Sequence, residues 1–181
     1  AGADSGGGIP PSLGGARVGA VWWPFNPAYR SAEVEHILVD SEPALVLADA
    51  ERAGLLEGTL PVALLGELPL DEPPPMPPLN ANSPALIIYT SGTTGRPKGA
   101  LLDHGNLLAQ TRGAIEAWRW TAADTLVHAL PLFHVHGLAM GLQGSLLTGW
   151  QMRLMAFDTA RGGVALAAGG RHLSGGGRMT Q

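Results

Sequence analysis

The sequence predicts an α/β fold with a largely parallel sheet flanked by helices, and three observations lead to this prediction. Short apolar runs typical of buried strands alternate with amphipathic helical patterns through the middle of the chain. Hydrophobic residues make up 45% of the 181 residues and the mean hydropathy is +0.13, which favours a folded core over disorder. The sequence contains no internal repeat, so a repetitive architecture is not predicted.

The predicted elements follow one another in a regular order. An apolar strand over 20–23 stops at Pro24, and a helix begins at Ser31, which can cap it. That helix ends before Pro43. A second capped helix begins at Asn106. Further strands are predicted over 44–48, 61–65, 85–89, 125–129 and 151–155, and further helices over 51–56 and 137–147.

Composition and charge exclude several classes of protein. The net charge is −4 and no basic stripe is visible, which argues against a nucleic-acid partner. The absence of cysteine excludes disulfides, thiolate metal sites and a cysteine nucleophile. No apolar run reaches the roughly 18 residues that cross a bilayer, and residues 1–8 lack the charged and apolar regions of a signal peptide. We therefore predict a cytoplasmic location.

A glycine-rich loop over 90–99 follows the most apolar strand of the chain. Its glycines permit a close backbone approach to a ligand, and successive N–H groups in such a turn can bind an anion. The hydroxyl groups supply further donors, and Lys98 supplies a full positive charge. This combination indicates a polyphosphate site rather than a flexible surface turn. The spacing matches neither the Walker A pattern nor the Gly-x-Gly-x-x-Gly pattern.

A proline-rich connector over 70–84 precedes this strand. It contains Pro73, Pro74, Pro75, Pro77 and Pro78, and we interpret it as an extended linker between two strands. A ligand for an SH3-type domain is the alternative, but no arginine or lysine flanks the prolines.

The loop from Tyr89 to Gly99 resembles the signature of the AMP-forming superfamily of acyl-CoA synthetases, luciferases and peptide-synthetase adenylation domains. Residues 130–137, Leu-Pro-Leu-Phe-His-Val-His-Gly, resemble its second core motif, and residues 101–107 and 19–30 resemble neighbouring segments. The likeness covers Leu13 to Asp158. It implies that these residues form part of the family's large N-terminal domain, with an incomplete, mostly parallel sheet.

The resemblance implies a reaction in two halves. A carboxylate attacks the α-phosphate of ATP to give acyl-AMP and pyrophosphate, and coenzyme A then takes the acyl group and releases AMP. Mg²⁺ shares the phosphate charge. The residues that the resemblance assigns to the β- and γ-phosphates are Thr90, Ser91, Gly92, Thr93, Thr94, Gly95 and Lys98.

The two histidines of the second motif are candidate substrate-pocket residues. The resemblance places His134 beside the acyl group, as a catalytic candidate. The doubled form with His136 is most like malonyl-CoA synthetases, which implies malonate or another short-chain acid. On an extended segment, residues two apart face the same side, so metal ligation is an alternative. No third ligand is apparent, and we predict no metal site.

Several motifs of the family are absent. Neither Tyr-Gly-x-Thr-Glu nor Thr-Gly-Asp occurs, and Lys98, the only lysine, already belongs to the loop. We therefore predict that this chain alone is inactive as an enzyme. We expect an irregular start over 1–12, the partial AMP-binding domain over 13–158, and a glycine-rich aberrant tail over 159–181. A reading frame that shifts near Arg161 would explain this tail.

Three alternatives to a truncated carboxylate–CoA ligase stay open at this point. One is a fragment of a peptide-synthetase adenylation domain, which the doubled histidine disfavours. Another is a non-catalytic nucleotide-binding module that uses only the phosphate loop. The last is a truncated product with no function.

Overall fold

The structure is a computed structural model that describes residues 9–26, 29–54, 60–67, 74–91, 96–128, 130–154, 171–174 and 177–178. The helices are α1 (Ile9–Arg17), α2 (Ser31–Ser41), α3 (Ala50–Ala53), α4 (His104–Trp118) and α5 (Gln143–Thr148), with a 3₁₀ turn at Leu65–Glu67 and a π-helical segment at His136–Leu142. The strands are β1 (Val46–Ala48), β2 (Val62–Leu64), β3 (Pro84–Ser91), β4 (Pro97–Asp103), β5 (Thr125–His128), β6 (Gln151–Leu154), β7 (Arg171–Ser174) and β8 (Gly177–Arg178).

The described strands form three sheets. Strands β1 and β2 pair in parallel, β3 and β4 form an antiparallel hairpin, and the third sheet has the order β6-β5-β7-β8. Within the third sheet β5 pairs in parallel with both β6 and β7, whereas β7 and β8 are antiparallel. The predicted α/β fold is confirmed. Strand β4 was not predicted, because Gly99 and Ala100 give its sequence little strand character.

Two helix starts differ from the sequence prediction. Arg30, not Ser31, precedes the first turn of α2, and the Glu33 side chain accepts a hydrogen bond from its N–H over 2.9 Å. At α4 the cap is Asp103, whose carboxylate accepts from the Asn106 N–H over 2.6 Å. A carboxylate is favoured there because it also faces the positive end of the helix dipole.

Both predicted irregular ends contain regular structure. Helix α1 begins at Ile9, inside the segment 1–12, and Pro10 and Pro11 fit its first turn because no N–H is needed there. Strands β7 and β8 lie inside the tail over 159–181 and continue the third sheet. The boundary at 158 lies outside the described residues, and the shifted reading frame stays a prediction. Residues 74–83 of the linker form neither helix nor strand.

The described residues form two hydrophobic core clusters. The first joins the hairpin to α4 and the π-helical segment, and its buried members are Ala85, Leu86, Leu107, Leu138, Ala139 and Leu142. The second lies between the C-terminal end of α4 and the third sheet. Here the Trp120 ring packs on the Trp118 and Trp150 rings, at centroid distances of 4.8 Å and 4.3 Å. These tryptophans therefore pack against one another in the core.

A buried hydroxyl connects α4 to the π-helical segment. Thr111 is fully buried, and its Oγ1 lies 2.8 Å from the Leu107 carbonyl, 3.2 Å from the Ala139 carbonyl and 3.1 Å from Gln143 Oε1. We expect Thr111→Val to lower the free energy of unfolding by about 1–2 kcal/mol, because the methyl group cannot replace these contacts. Urea denaturation measures this change, and a variant of unaltered stability would contradict the expected result.

Candidate active site

The described residues of the candidate phosphate loop lie at the end of the β3–β4 hairpin. Thr90 pairs with Lys98 and Ser91 with Pro97, so the two strands bring together residues from both ends of the loop. Thr90 and Lys98 are exposed. The central residues Gly92, Thr93, Thr94 and Gly95 lie outside the described residues.

The two faces of the hairpin have different surroundings. On one face Leu86 belongs to the first core cluster and Ile88 packs against it. Thr90 and its partner Lys98 lie on the same face, at the exposed end of the hairpin. On the other face the Tyr89 ring contacts the Trp23 ring at a centroid distance of 5.4 Å. A ligand of Lys98 and Thr90 would therefore lie on the face that also carries α4 and the π-helical segment.

The second motif forms a turn followed by the π-helical segment. The His134 N–H donates to the Pro131 carbonyl over 3.2 Å, and the Leu138 N–H donates to the His134 carbonyl over 2.9 Å. Metal ligation by the two histidines depended on an extended segment, and the chain is not extended here because Pro131 and the following turn bend it. His134 and His136 are both exposed.

The histidine motif and the phosphate loop share a core cluster. Val135 lies between the two histidines and packs against the first cluster, as does Ile88, two residues before Thr90. Both candidate motifs thus flank the same hydrophobic cluster. One hydrophobic cluster therefore supports both candidate motifs.

A buried histidine next to this motif was not predicted. His128 ends β5, is 1% exposed, and neither ring nitrogen has a hydrogen-bond partner among the described residues. Its ring fits against Gly141, where a Cβ atom would lie 2.4 Å from Cε1. In the sequence His128 occupies an apolar strand, and this position was the only signal that could have indicated its burial.

Burial lowers the pKa of the His128 ring. The Leu130 backbone lies nearby and opposes this shift, although it forms no hydrogen bond with the ring nitrogens. The folded state thus disfavours the proton that an unfolded histidine binds below about pH 6.5. Stability from this group is therefore complete above pH 6.5 and decreases as the pH falls towards the lowered pKa, by at most about 1.4 kcal/mol per pH unit. His128→Leu should flatten the pH dependence of urea unfolding between about pH 7 and pH 5. Parallel curves for variant and wild type would contradict this expectation.

Neither a metal site nor a membrane helix is found in the described part of the chain. No group of three or more His, Cys, Asp or Glu residues there could hold a metal ion. None of the described helices is long and apolar enough to cross a bilayer.

The chain belongs to the AMP-binding enzyme family, whose model matches residues 12–168. It is 40% identical over 136 residues to the mitochondrial malonate–CoA ligase ACSF3 of Homo sapiens. This match covers 68% of this chain and 24% of that protein. It is 36% identical over 148 residues to feruloyl-CoA synthase of an Amycolatopsis species, covering 78% of this chain and 30% of that protein.

Solved structures agree with this membership. ATP-bound MatB from Rhodopseudomonas palustris matches 91% of this chain and 36% of its own chain, with a TM-score of 0.82 and 28% identity. The predicted superfamily and the partial N-terminal domain are therefore confirmed. The chain spans about a quarter to a third of the length of these relatives.

Proposed function

We propose that this chain is the phosphate-loop segment of an AMP-forming carboxylate–CoA ligase. In the reaction a carboxylate displaces pyrophosphate from the α-phosphate of ATP to give acyl-AMP. The sulfur of coenzyme A then replaces AMP at the acyl carbon. The observation that carries the proposal is the pairing of Thr90 with Lys98 on one exposed face of the hairpin, in a chain that belongs to the AMP-binding enzyme family.

The donors of this hairpin fit a polyphosphate. Lys98 supplies a mobile positive charge and Thr90 a hydroxyl donor on the same face. Ser91, Gly92, Thr93, Thr94 and Gly95 complete the proposed phosphate-binding set. Mg²⁺, when bound, supplies further charge neutralisation on the phosphates. The described residues offer it no ligand cluster of their own, so we propose that it is held mainly through ATP.

We propose malonate or another short-chain acid as the carboxylate. Support comes from the malonate–CoA ligase relative and from the paired histidines of the second motif. His134 and His136 are exposed at the start of the π-helical segment, where an acidic substrate could accept hydrogen bonds from them. The similarity to feruloyl-CoA synthase makes a larger acid the alternative to test.

The proposal concerns small-molecule substrates, and no observation favours a nucleic-acid partner. The cytoplasmic location stays a prediction, because the human relative is named as mitochondrial. The relatives are CoA ligases by name, so the peptide-synthetase alternative is not favoured.

Chemical protection of Lys98 tests phosphate binding directly. Lys98 is the only lysine, so an amine-specific acylating reagent reports on one side chain apart from the N-terminus. Pyrophosphate and ATP should slow its acylation, whereas AMP should protect weakly because it lacks the β- and γ-phosphates. The N-terminal amine serves as the internal reference. Equal rates with and without pyrophosphate would refute the proposed phosphate site.

Isotope exchange between ATP and pyrophosphate tests the enzyme class and the acid. The complete polypeptide that carries this segment is assayed with malonate, methylmalonate, acetate, ferulate or no acid. Exchange that depends on malonate supports the proposal, and exchange that depends on ferulate alone would replace the substrate class. The 181-residue chain assayed separately should show no exchange.

A further inference from the structure

Helix α2 forms side-chain hydrogen bonds with both strands that carry the phosphate loop. On β3 the Tyr89 hydroxyl donates to Asp40 Oδ2 over 2.5 Å. On β4 the Pro97 carbonyl accepts from His36 Nε2 over 3.0 Å. Since a carbonyl oxygen only accepts, this nitrogen carries the proton. The two contacts lie on either side of residues 90–96, the first part of the loop.

Both contacts join residues that are distant in sequence. His36 and Pro97 are 61 positions apart, and Asp40 and Tyr89 are 49 apart. His36 and Asp40 are four residues apart on α2, so they project from the same side of the helix. One face of α2 thus holds the two ends of the loop at a fixed relative position.

The Tyr89 ring is held in a defined position between α2 and β4. It faces its cross-strand partner Gly99 so closely that a Cβ atom there would lie 3.1 Å from Tyr89 Cζ. Burial, and then the hydrogen bond and charge of Asp40, raise the pKa of Tyr89 to about 12. The phenol therefore keeps its proton and donates to Asp40 at neutral pH.

These polar contacts are not what holds α2 against the fold. Ile37, on the same helix, is fully buried and supplies the apolar anchor. The Asp40 bond is exposed and the His36 bond is only partly buried, so each contributes little to global stability. Their main consequence is geometric, because they constrain the two stems from which the loop projects.

We propose that His36 and Asp40 are positioning residues that fix Tyr89 and Pro97 and thereby the placement of the neighbouring loop residues Thr90 and Lys98. This inference rests on the proposed function of the loop as a polyphosphate site. The residues act through Tyr89 and Pro97 and do not themselves contact the phosphates.

Paired variants of the 181-residue chain separate hydrogen bonding from side-chain loss. His36→Gln keeps a donor near the position of Nε2, whereas His36→Leu removes it. Asp40→Asn keeps an acceptor for the Tyr89 hydroxyl, whereas Asp40→Ala removes it. Glu35→Gln is the matched control, because it removes a charge from an exposed position of the same helix.

Two measurements are made on each variant. The first is the pyrophosphate concentration that half-protects Lys98 from acylation. The second is amide hydrogen exchange of peptides covering 89–99. We expect His36→Leu and Asp40→Ala to raise the half-protecting concentration by roughly threefold to tenfold each and to accelerate exchange in these peptides. His36→Gln, Asp40→Asn and Glu35→Gln should stay close to wild type.

The outcomes distinguish this inference from the proposed function. If both removal variants keep wild-type protection and wild-type exchange, the contacts do not position the loop and the inference is overturned. If wild-type Lys98 is not protected at all, the proposed phosphate site fails, while the exchange data still decide whether α2 fixes the stems. Equal losses in the conservative and removal variants would show a packing effect and would also overturn the inference.

Discussion

Gly137→Ala is expected to lower the free energy of unfolding by about 3 kcal/mol. A Cβ atom at this position would lie 2.3 Å from the Pro131 carbonyl oxygen and 3.0 Å from its carbon, so a backbone segment would have to move. Gly137 is buried at the start of the π-helical segment, and the added Cβ would also lie 3.4 Å from His128 Nε2. The substitution would also displace the turn that carries His134.

Gly113→Ala provides the matched control for this prediction. Gly113 lies within α4, is exposed, and has nothing within 4 Å of the added Cβ position. Alanine should stabilise the helix there by about 0.5–1 kcal/mol, because it restricts the unfolded chain and favours helical geometry. Urea denaturation of both variants tests the pair. Similar changes in the free energy of unfolding of the two variants would show that the close approach of Gly137 to Pro131 does not make alanine unfavourable at position 137.

Lys98→Gln is expected to weaken pyrophosphate binding by roughly tenfold to hundredfold, because a charge-assisted hydrogen bond is replaced by a neutral one. Equilibrium dialysis with labelled pyrophosphate measures the loss. Since Lys98 is exposed, the difference in pyrophosphate affinity between the variant and the wild type should decrease as the salt concentration rises.

Arg96→Gln is the control for net charge at the same loop. It removes one positive charge from an exposed position two residues away but lies outside the proposed phosphate-binding set. A small effect from Arg96→Gln beside a large effect from Lys98→Gln supports a specific contact. Equal losses from the two variants would indicate only a general electrostatic attraction and would contradict the assigned role of Lys98.

Predictions from local sequence patterns succeeded where the signal was strong. The apolar run before the loop is β3, and the periodic pattern after Ser31 is α2. The start of α4 was assigned to the wrong cap, because Asp103 and Asn106 are both good capping residues. Which of the two residues caps the helix depends on where β4 ends, and β4 itself was not predicted.

Two features of the candidate site were not anticipated. Metal ligation by His134 and His136 depended on an extended segment, whereas the chain forms a turn that leads into a π-helical segment. The burial of His128 depends on Gly141, which is distant in sequence but leaves the space for its ring. Packing therefore decided the environment of His128, and the turn after Pro131 decided the course of the chain at His134.

The sequence by itself determined the family of this protein. The order of glycines, hydroxyls and Lys98 after an apolar strand, together with the paired histidines, was sufficient to indicate that family and a candidate polyphosphate loop. The tertiary structure decided which residues support the candidate loop. Hairpin register pairs Thr90 with Lys98, and α2 meets both stems of the loop through His36 and Asp40. The two contacts of α2 join residues 61 and 49 positions apart, so they exist only once the chain has folded.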